Sequence, residues 1–411
     1  MPDVSFVNLL VVVAVAVLAP LTVGYLPQLR VPAVVLEIVG GIIIGPSVLG
    51  WVHIDLPVAI LALFGLAFLL FLAGLEIDVH RLRGRLLRYA VFGYLVSLVL
   101  GYGASAAFKA AGWVSQPLLV AIALASTALG LVVPVLKDAR QLHSEIGQVA
   151  LAAASVADFA AIVLLSFFFS SSGGSTGSKV VILGVFGGLV AVTGLVVSGA
   201  ARSMRLGQVL VRLQDTTAEI RVRFAVLLLV AFTFLAERFG LESILGAFLA
   251  GAIVGLVDRD SSSHPRFRTK LEAIGYGFLV PVFFVSSGIR LDLTGLLHSP
   301  SALVRVPVFL VALLAVRGLP ALLGLRANGP RATLALGLLQ ATSLPIIVAA
   351  TQIGVALGKI TPVTAAALVC AGLLSVLLFP VIALTLLRRG QSESEPEPAA
   401  GAAEPVPEPL M

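Results

Sequence analysis

The chain has 411 residues, of which 59% are hydrophobic and only 12% carry a charge, and its formal net charge at pH 7 is +6. Soluble domains contain about 25% charged residues, so this composition excludes an ordinary soluble protein and indicates a polytopic membrane protein. The basic excess is typical of cytoplasmic loops between membrane helices, so we expect no nucleic-acid partner. The single cysteine excludes an intramolecular disulfide.

Apolar stretches of about 20 residues predict helices that cross the bilayer. Thirteen such segments run near 4–26, 31–51, 56–77, 88–109, 115–137, 145–171, 179–201, 222–240, 242–257, 271–290, 301–325, 331–355 and 361–387. With the amino terminus outside, most of the 27 Lys and Arg residues fall in the inner connections. We therefore expect an all-α, multi-pass protein of the cell membrane with a cytoplasmic carboxyl terminus.

Composition divides the chain further. Residues 202–223 place Leu and Val at helical spacing among basic residues, which predicts a linker helix on the inner face. This linker joins two halves of the membrane part, 1–389. Residues 390–411 are rich in Glu, Pro and Ala and predict a disordered cytoplasmic tail.

Two predicted spans share a local pattern. LASTALGLVVPVL (Leu124–Leu136) and LQATSLPIIVAA (Leu339–Ala350) both place Ala, Ser and Thr before a proline and β-branched residues. An odd number of spans separates them, so they run oppositely through the membrane. Inverted repeats with interrupted helices form the ion site of many transporters. Ordinary packing of small residues explains the pattern equally well.

Asp158 lies in the middle of the apolar segment Glu145–Phe169. An aspartate at the centre of a membrane helix costs about 2.5–3.5 kcal/mol on insertion scales, so such residues are functional candidates. Because one carboxylate holds either a proton or a cation, Asp158 is the predicted shared site. Hydroxyl groups on the two spans with the shared pattern are candidate ligands for a hard cation, although each is equally suited to bonding within its own helix. They are Ser126, Thr127, Thr342 and Ser343.

Arg317 is the only basic residue well inside a predicted span. Arginine keeps its proton in proteins, so we interpret Arg317 as a fixed counter-charge for Asp158 or for interrupted helices, with lysine as a tolerated replacement. Snorkelling to the inner surface is the alternative. Glu37 lies early in the second span and is either structural or part of a cytoplasmic funnel. Glu76 is expected to form surface ion pairs with the basic stretch 81–88.

Six fragments together resemble the monovalent cation:proton antiporter family, in the branch of bacterial sodium/proton exchangers and potassium-efflux systems. They are LEIVGGIIIGPSVLGW (Leu36–Trp51), LLFLAGLEIDVHRLR (Leu69–Arg83), ASTALGLVVPVLKD (Ala125–Asp138), ADFAAIVLL (Ala157–Leu165), LGAFLAGAIVG (Leu245–Gly255) and PVFFVSSGIRLDL (Pro281–Leu293). The resemblance implies two crossed discontinuous helices, a core domain and a dimerisation domain. It also implies a homodimer in the bacterial inner membrane that exchanges Na⁺ or K⁺ for H⁺ by alternating access.

This chain departs from the family pattern at two places. Ala157 stands where relatives commonly have a polar residue before the aspartate, and Gln340–Ser343 replaces a motif that often reads Arg-Gly-Glu. With Asp158 as the only carrier of a proton or cation, we expect electroneutral exchange. A gated potassium pathway and a repurposed fold or intramembrane enzyme acting on a small organic molecule are the alternatives. Because neither a nucleophile–base pair nor a nucleotide-binding loop is evident, we expect no enzyme and no cofactor.

Overall fold

The computed structural model describes residues 5–25, 31–76, 84–138, 141–142, 144–169, 176–201, 219–257 and 265–392. All regular secondary structure within these ranges is helical, which confirms the predicted fold class. Eight helical stretches there are long and apolar enough to cross a membrane, and three shorter apolar helices accompany them.

Each of the thirteen predicted segments corresponds to one helix or to consecutive helices. The helices are α1 (Val7–Tyr25), α2 (Ala33–Ile44), α3 (Leu56–Leu75), α4 (Gly84–Ala110), α5 (Pro117–Leu124), α6 (Leu129–Asp138), α7 (Glu145–Phe169), α8 (Thr176–Ala201), α9 (Ile220–Arg238), α10 (Ser243–Val257), α11 (Pro265–Ile274), α12 (Val280–Ile289), α13 (Leu293–Leu297), α14 (Pro300–Gly318), α15 (Leu325–Gln340), α16 (Pro345–Ala356) and α17 (Pro362–Ser392). A π-helical turn, Gly275–Leu279, joins α11 to α12, and a 3-10 turn, Leu319–Gly324, follows α14.

Two predicted spans are interrupted in the middle, as the resemblance implied. The fifth consists of α5 and α6, with residues 125–128 between them outside any helix. The twelfth consists of α15 and α16, with a break at residues 341–344. Pro345 begins α16, where the missing N–H of proline costs no helical hydrogen bond. The interruptions free backbone polar groups, which must find partners in the protein.

The long helices pack as two groups. In the first group, α1, α2 and α3 contact α9, α10 and α12, and α11 contacts α9; in the second, α4–α7 contact α14–α17. Each group thus draws helices from both sides of residues 202–218. These groups correspond to the two domains that the resemblance implied, while the dimerising role of one of them stays a prediction.

Two predicted segments fall largely outside the described residues. For the linker helix near 202–223, residues 202–218 are not described, and α9 already begins at Ile220. For the tail at 390–411, α17 continues to Ser392, and residues 393–411 are not described. The linker and the disordered tail therefore stay predictions.

Candidate functional site

The two helix interruptions touch one another. The Ser126 and Ser343 hydroxyl oxygens are 2.7 Å apart. The backbone N–H of Ala128 donates to the carbonyl oxygen of Thr342 over 2.9 Å. Side chains and backbone therefore satisfy polar groups that the interruptions expose in the interior.

The place where residues 125–128 and 341–344 touch is called the crossing below. The four predicted hydroxyl ligands lie in the crossing, and all four are buried. Their hydroxyl groups have protein partners: Thr127 donates to the Gln340 carbonyl oxygen at 2.6 Å, and Thr342 donates to Leu338 in its own helix at 3.1 Å. Ser126 also contacts the Ala123 carbonyl oxygen at 2.7 Å. The alternative of hydrogen bonding within the same helix thus describes Ser126 and Thr342, whereas Thr127 and Ser343 bond to the other interrupted span. Binding of a cation by these groups stays a prediction.

Asp158 lies on α7 against the first residue of α6. Its Oδ2 accepts a hydrogen bond from the Leu129 N–H at 3.2 Å. Ala154, Ala157 and Ala161 on the same helix are fully buried, and their small side chains permit close packing around this carboxylate. The other oxygen, Oδ1, is buried without a hydrogen-bond partner. One carboxylate oxygen is therefore held in place while the second remains available for a ligand.

Arg317 is only 1% exposed, so the snorkelling interpretation is wrong. Its Nε donates to Thr127 Oγ1 at 2.8 Å, and its two terminal nitrogens reach Ser97 Oγ at 3.1 Å and the Ala153 carbonyl oxygen at 3.4 Å. Arg317 and Asp158 are both described, and no ion pair within 4 Å joins them. The guanidinium is bound to the crossing rather than directly to the carboxylate.

The helix ends explain where these two charges lie. A helix carries partial negative charge at its carboxyl end and partial positive charge at its amino end. The Arg317 guanidinium also lies 3.4 Å from the carbonyl oxygen of Gln340, the last residue of α15. Asp158 instead meets the first N–H of α6. Each charge therefore compensates an end of an interrupted helix.

Asp158 lines a cavity of about 270 Å³ together with two further carboxylates, Glu37 and Glu76. Glu37 is 6% exposed and lies in the second turn of α2, and its carboxyl group makes no hydrogen bond with the described residues. The structure thus places the predicted funnel residue beside the cavity that holds Asp158. Its role in an ion path stays a prediction.

Glu76 is the lining residue that sequence reasoning missed. It follows the last residue of α3, and its ion pair among the described residues is with Arg268 at 3.8 Å. Residues 81–83 of the basic stretch expected from the sequence lie outside the described part of the chain. Its Oε2 is buried without a partner. The sequence signal that could have identified Glu76 is its position directly after the long apolar run Leu56–Leu75.

The rest of the cavity lining is mostly apolar. Besides the carboxylates, Tyr276 from the π-helical turn and apolar residues such as Phe284 and Ile346 line the cavity. Among the described residues, no group of three His, Cys, Asp or Glu is arranged to hold a metal ion. The cavity therefore presents three separate carboxylates in an otherwise largely apolar lining.

Comparison with known proteins gives consistent similarities. The family model described as "Sodium/hydrogen exchanger, transmembrane" matches residues 13–389. YjbQ of Bacillus subtilis (strain 168), which carries the name of a Na(+)/H(+) antiporter, is 32% identical over 97% of this chain and 65% of its own length. "Cation/H(+) antiporter 19" of Arabidopsis thaliana is 29% identical over 70% of this chain, which spans 38% of that relative.

A solved structure has a similar fold. The sodium proton antiporter MjNhaP1 from Methanocaldococcus jannaschii, determined at pH 8, superposes with a TM-score of 0.65 at 21% sequence identity. The similarity covers 92% of this chain and 97% of the other.

Proposed function

The chain belongs to the sodium/hydrogen exchanger family, and on that premise we propose that it is a secondary antiporter that exchanges Na⁺ or K⁺ for H⁺ by alternating access. The observation that carries the proposal is Asp158, a buried carboxylate with one oxygen held by α6 and the other unpartnered beside a cavity. A relative named as a Na(+)/H(+) antiporter and another named as a cation/H(+) antiporter support this class of substrate.

Asp158 couples the two fluxes by competition. A proton and a monovalent cation neutralise the same carboxylate, so binding of one displaces the other. The crossing keeps the carboxylate in position, because Leu129 begins α6 and the break before α6 is bonded to the break before α16. Ser126, Thr127, Thr342 and Ser343 are further candidate ligands, because a hydroxyl oxygen that donates a hydrogen bond keeps a lone pair for a cation.

Exchange at this site is electroneutral in our proposal. One carboxylate carries either one proton or one monovalent cation in each half-cycle, so no net charge crosses the membrane. Arg317 contributes a constant charge, because arginine keeps its proton in proteins. Electroneutrality also requires that Glu37 and Glu76, which line the same cavity, keep one charge state throughout the cycle.

Two further proposals concern assembly and orientation. We assign the first helix group to dimerisation and the second, with the crossing and Asp158, to the moving core. The protein is then a homodimer in the cell membrane, with its amino terminus outside and the Glu76 end of the cavity facing the cytoplasm. The positive-inside distribution of Lys and Arg supports this orientation.

The proposal is tested in everted membrane vesicles with a pH-sensitive dye. Wild-type protein should collapse an imposed pH gradient when Na⁺ or K⁺ is added, and Asp158→Asn should abolish this response because the amide binds neither ligand as a carboxylate does. Glu145→Gln is the matched control, since Glu145 is exposed in the first turn of the same helix. Normal exchange by Asp158→Asn would refute the assignment, and K⁺ flux without proton movement would favour a gated potassium pathway.

A further inference from the structure

Among the described residues, two side-chain hydrogen bonds connect the two helix groups. The side-chain amide of Gln352 on α16 donates to the Ser287 hydroxyl on α12, with a distance of 3.0 Å between Nε2 and Oγ. The backbone N–H of Glu242, just before α10, donates to the Ser166 hydroxyl on α7 at 3.1 Å. Each bond therefore joins a helix, or the turn before one, of the first group to a helix of the second.

The Gln352–Ser287 bond lies beyond the residues of α12 and α16 that line the cavity. On α12, Val280 and Phe284 line the cavity, and Ser287 follows Phe284 by three residues, about 4.5 Å along the axis. On α16, Pro345 lines the cavity, and Gln352 follows by seven residues on the same helix face. The bond is thus placed where a path would leave the cavity between α12 and α16.

The other end of the cavity lies far from this bond. Glu76 lines the cavity and pairs with Arg268 on α11. Ser287 follows Arg268 by nineteen residues along the nearly continuous helical stretch α11–α12, about 28 Å. The Glu76 end and the Ser287 end are therefore opposite ends of the route that passes Asp158.

We infer that the Gln352–Ser287 hydrogen bond is a latch that keeps the cavity closed at the end away from Glu76. This inference rests on the proposed alternating access. To expose Asp158 on that side, α12 and α16 must separate, and the bond between their side chains must break. Ser287 is only 5% exposed, so water does not replace the lost bond until the path has opened. The bond consequently biases the equilibrium towards the state described here.

A neighbouring serine provides a matched control. Ser286 and Ser287 both contact the Phe283 carbonyl oxygen through their hydroxyl groups, at 2.8 and 2.7 Å. Both are buried, but only Ser287 receives a hydrogen bond from Gln352. Ser286→Ala therefore removes a similar buried hydroxyl and leaves the bond between the helix groups intact.

The test measures access to the cavity from each side. Cys370 is the single cysteine, so Cys370→Ala combined with Ile346→Cys leaves one thiol, at a position that lines the cavity. A membrane-impermeant maleimide is applied to oriented vesicles from the side of Glu76 or from the side of Lys359, which lies in the turn after α16. Ser287→Ala and Gln352→Leu should each raise the labelling rate from the Lys359 side by about two- to tenfold, the range expected for one net hydrogen bond.

The outcomes separate the latch from the transport proposal. The double variant should label no faster than the faster single variant, and Ser286→Ala should match the parent. Equal labelling of Ser287→Ala and Ser286→Ala, or unchanged labelling of Gln352→Leu, would overturn the latch. Because labelling needs no cation or proton flux, a protein that labels as expected but fails the dye assay would refute antiport alone. Gln352 is only partly buried, so Gln352→Leu remains informative even if Ser287→Ala folds poorly.

Discussion

At the scale of single residues, Arg317 uses its planar shape as well as its charge. Three nitrogen atoms reach partners in three places: Thr127 beside α5, Ser97 on α4 and the Ala153 carbonyl oxygen on α7. A lysine ammonium is a compact charge on a flexible stem and cannot occupy three separated positions. A helix end and polar groups thus compensate the buried charge. Removing the guanidinium leaves these three groups without their hydrogen-bond donor.

We accordingly expect Arg317→Lys to resemble Arg317→Ala, contrary to the expectation from sequence that lysine is tolerated. Each buried group left without a partner costs about 1–3 kcal/mol, so both variants should lower the thermal unfolding temperature in detergent and reduce exchange at least tenfold. Arg290→Lys, at an exposed position after α12, is the control. Near-normal stability and exchange for Arg317→Lys would show that charge alone suffices.

At the scale of helices, the crossing depends on one hydroxyl more than on its counterpart. The Thr127 hydroxyl bonds both to the Gln340 carbonyl oxygen and to Arg317, whereas the Thr342 hydroxyl bonds only within its own helix. Both side chains are fully buried. We therefore expect the two threonines to contribute differently to stability, because their hydroxyl groups have different hydrogen-bond partners.

Thr127→Val should therefore destabilise the protein by about 1–3 kcal/mol, and Thr342→Val by less, because only the first leaves the Arg317 Nε–H and the Gln340 carbonyl oxygen poorly satisfied. The measurement is thermal unfolding of the purified variants in detergent, with exchange assayed in parallel. If Thr342→Val abolished exchange at normal stability, its hydroxyl would instead be a cation ligand.

The packing of α3 on α10 depends on glycine. A Cβ atom at Gly251 would lie 1.9 Å from the Phe71 carbonyl oxygen, so the two helices touch through their backbones. Gly188 on α8 has no atom within 4 Å of such a position.

Gly251→Ala should force α3 and α10 apart and cost about 1–3 kcal/mol, as overpacking does in well-packed interiors. Gly188→Ala should be neutral or slightly stabilising, because alanine favours helix by about 1 kcal/mol. Thermal unfolding in the same detergent compares the two. A strong loss of dimer with Gly188→Ala would place the exposed face of α8 in a subunit contact.

At the scale of the whole molecule, the charge moved in one transport cycle decides the stoichiometry. We expect no transport current on a solid-supported membrane with either cation, and a rate of Na⁺ exchange in proteoliposomes that is independent of a potassium–valinomycin potential. A reproducible current would reveal a second titrating group. In that case Glu37→Gln and Glu76→Gln, which alter the two other cavity carboxylates, would identify it by abolishing the current.

The sequence by itself determined the membrane class and the thirteen helical segments, because these features depend on a local property, the length of apolar runs. The two interrupted spans were implied by the family resemblance, since the shared Ala-Ser-Thr pattern alone suited ordinary packing equally well. The sequence also singled out Asp158 and Arg317, because a charge inside an apolar segment is costly wherever that segment packs. Six fragments further indicated the family that the comparison with known proteins then established.

Only the tertiary structure decided which groups meet. Arg317 contacts Ala153 and Thr127, which are 164 and 190 positions away in the chain, and Gln352 contacts Ser287 across the boundary of two helix groups. The sequence places Glu76 beside the basic stretch 81–88, whereas its position in the cavity lining and its pair with Arg268 depend on α11 and on the π-helical turn, far along the chain. Hydrophobicity determines whether a segment enters the membrane. Because all faces of these helices are similarly hydrophobic, it does not specify which helices pack together. Packing geometry and the need to satisfy buried polar groups make that choice.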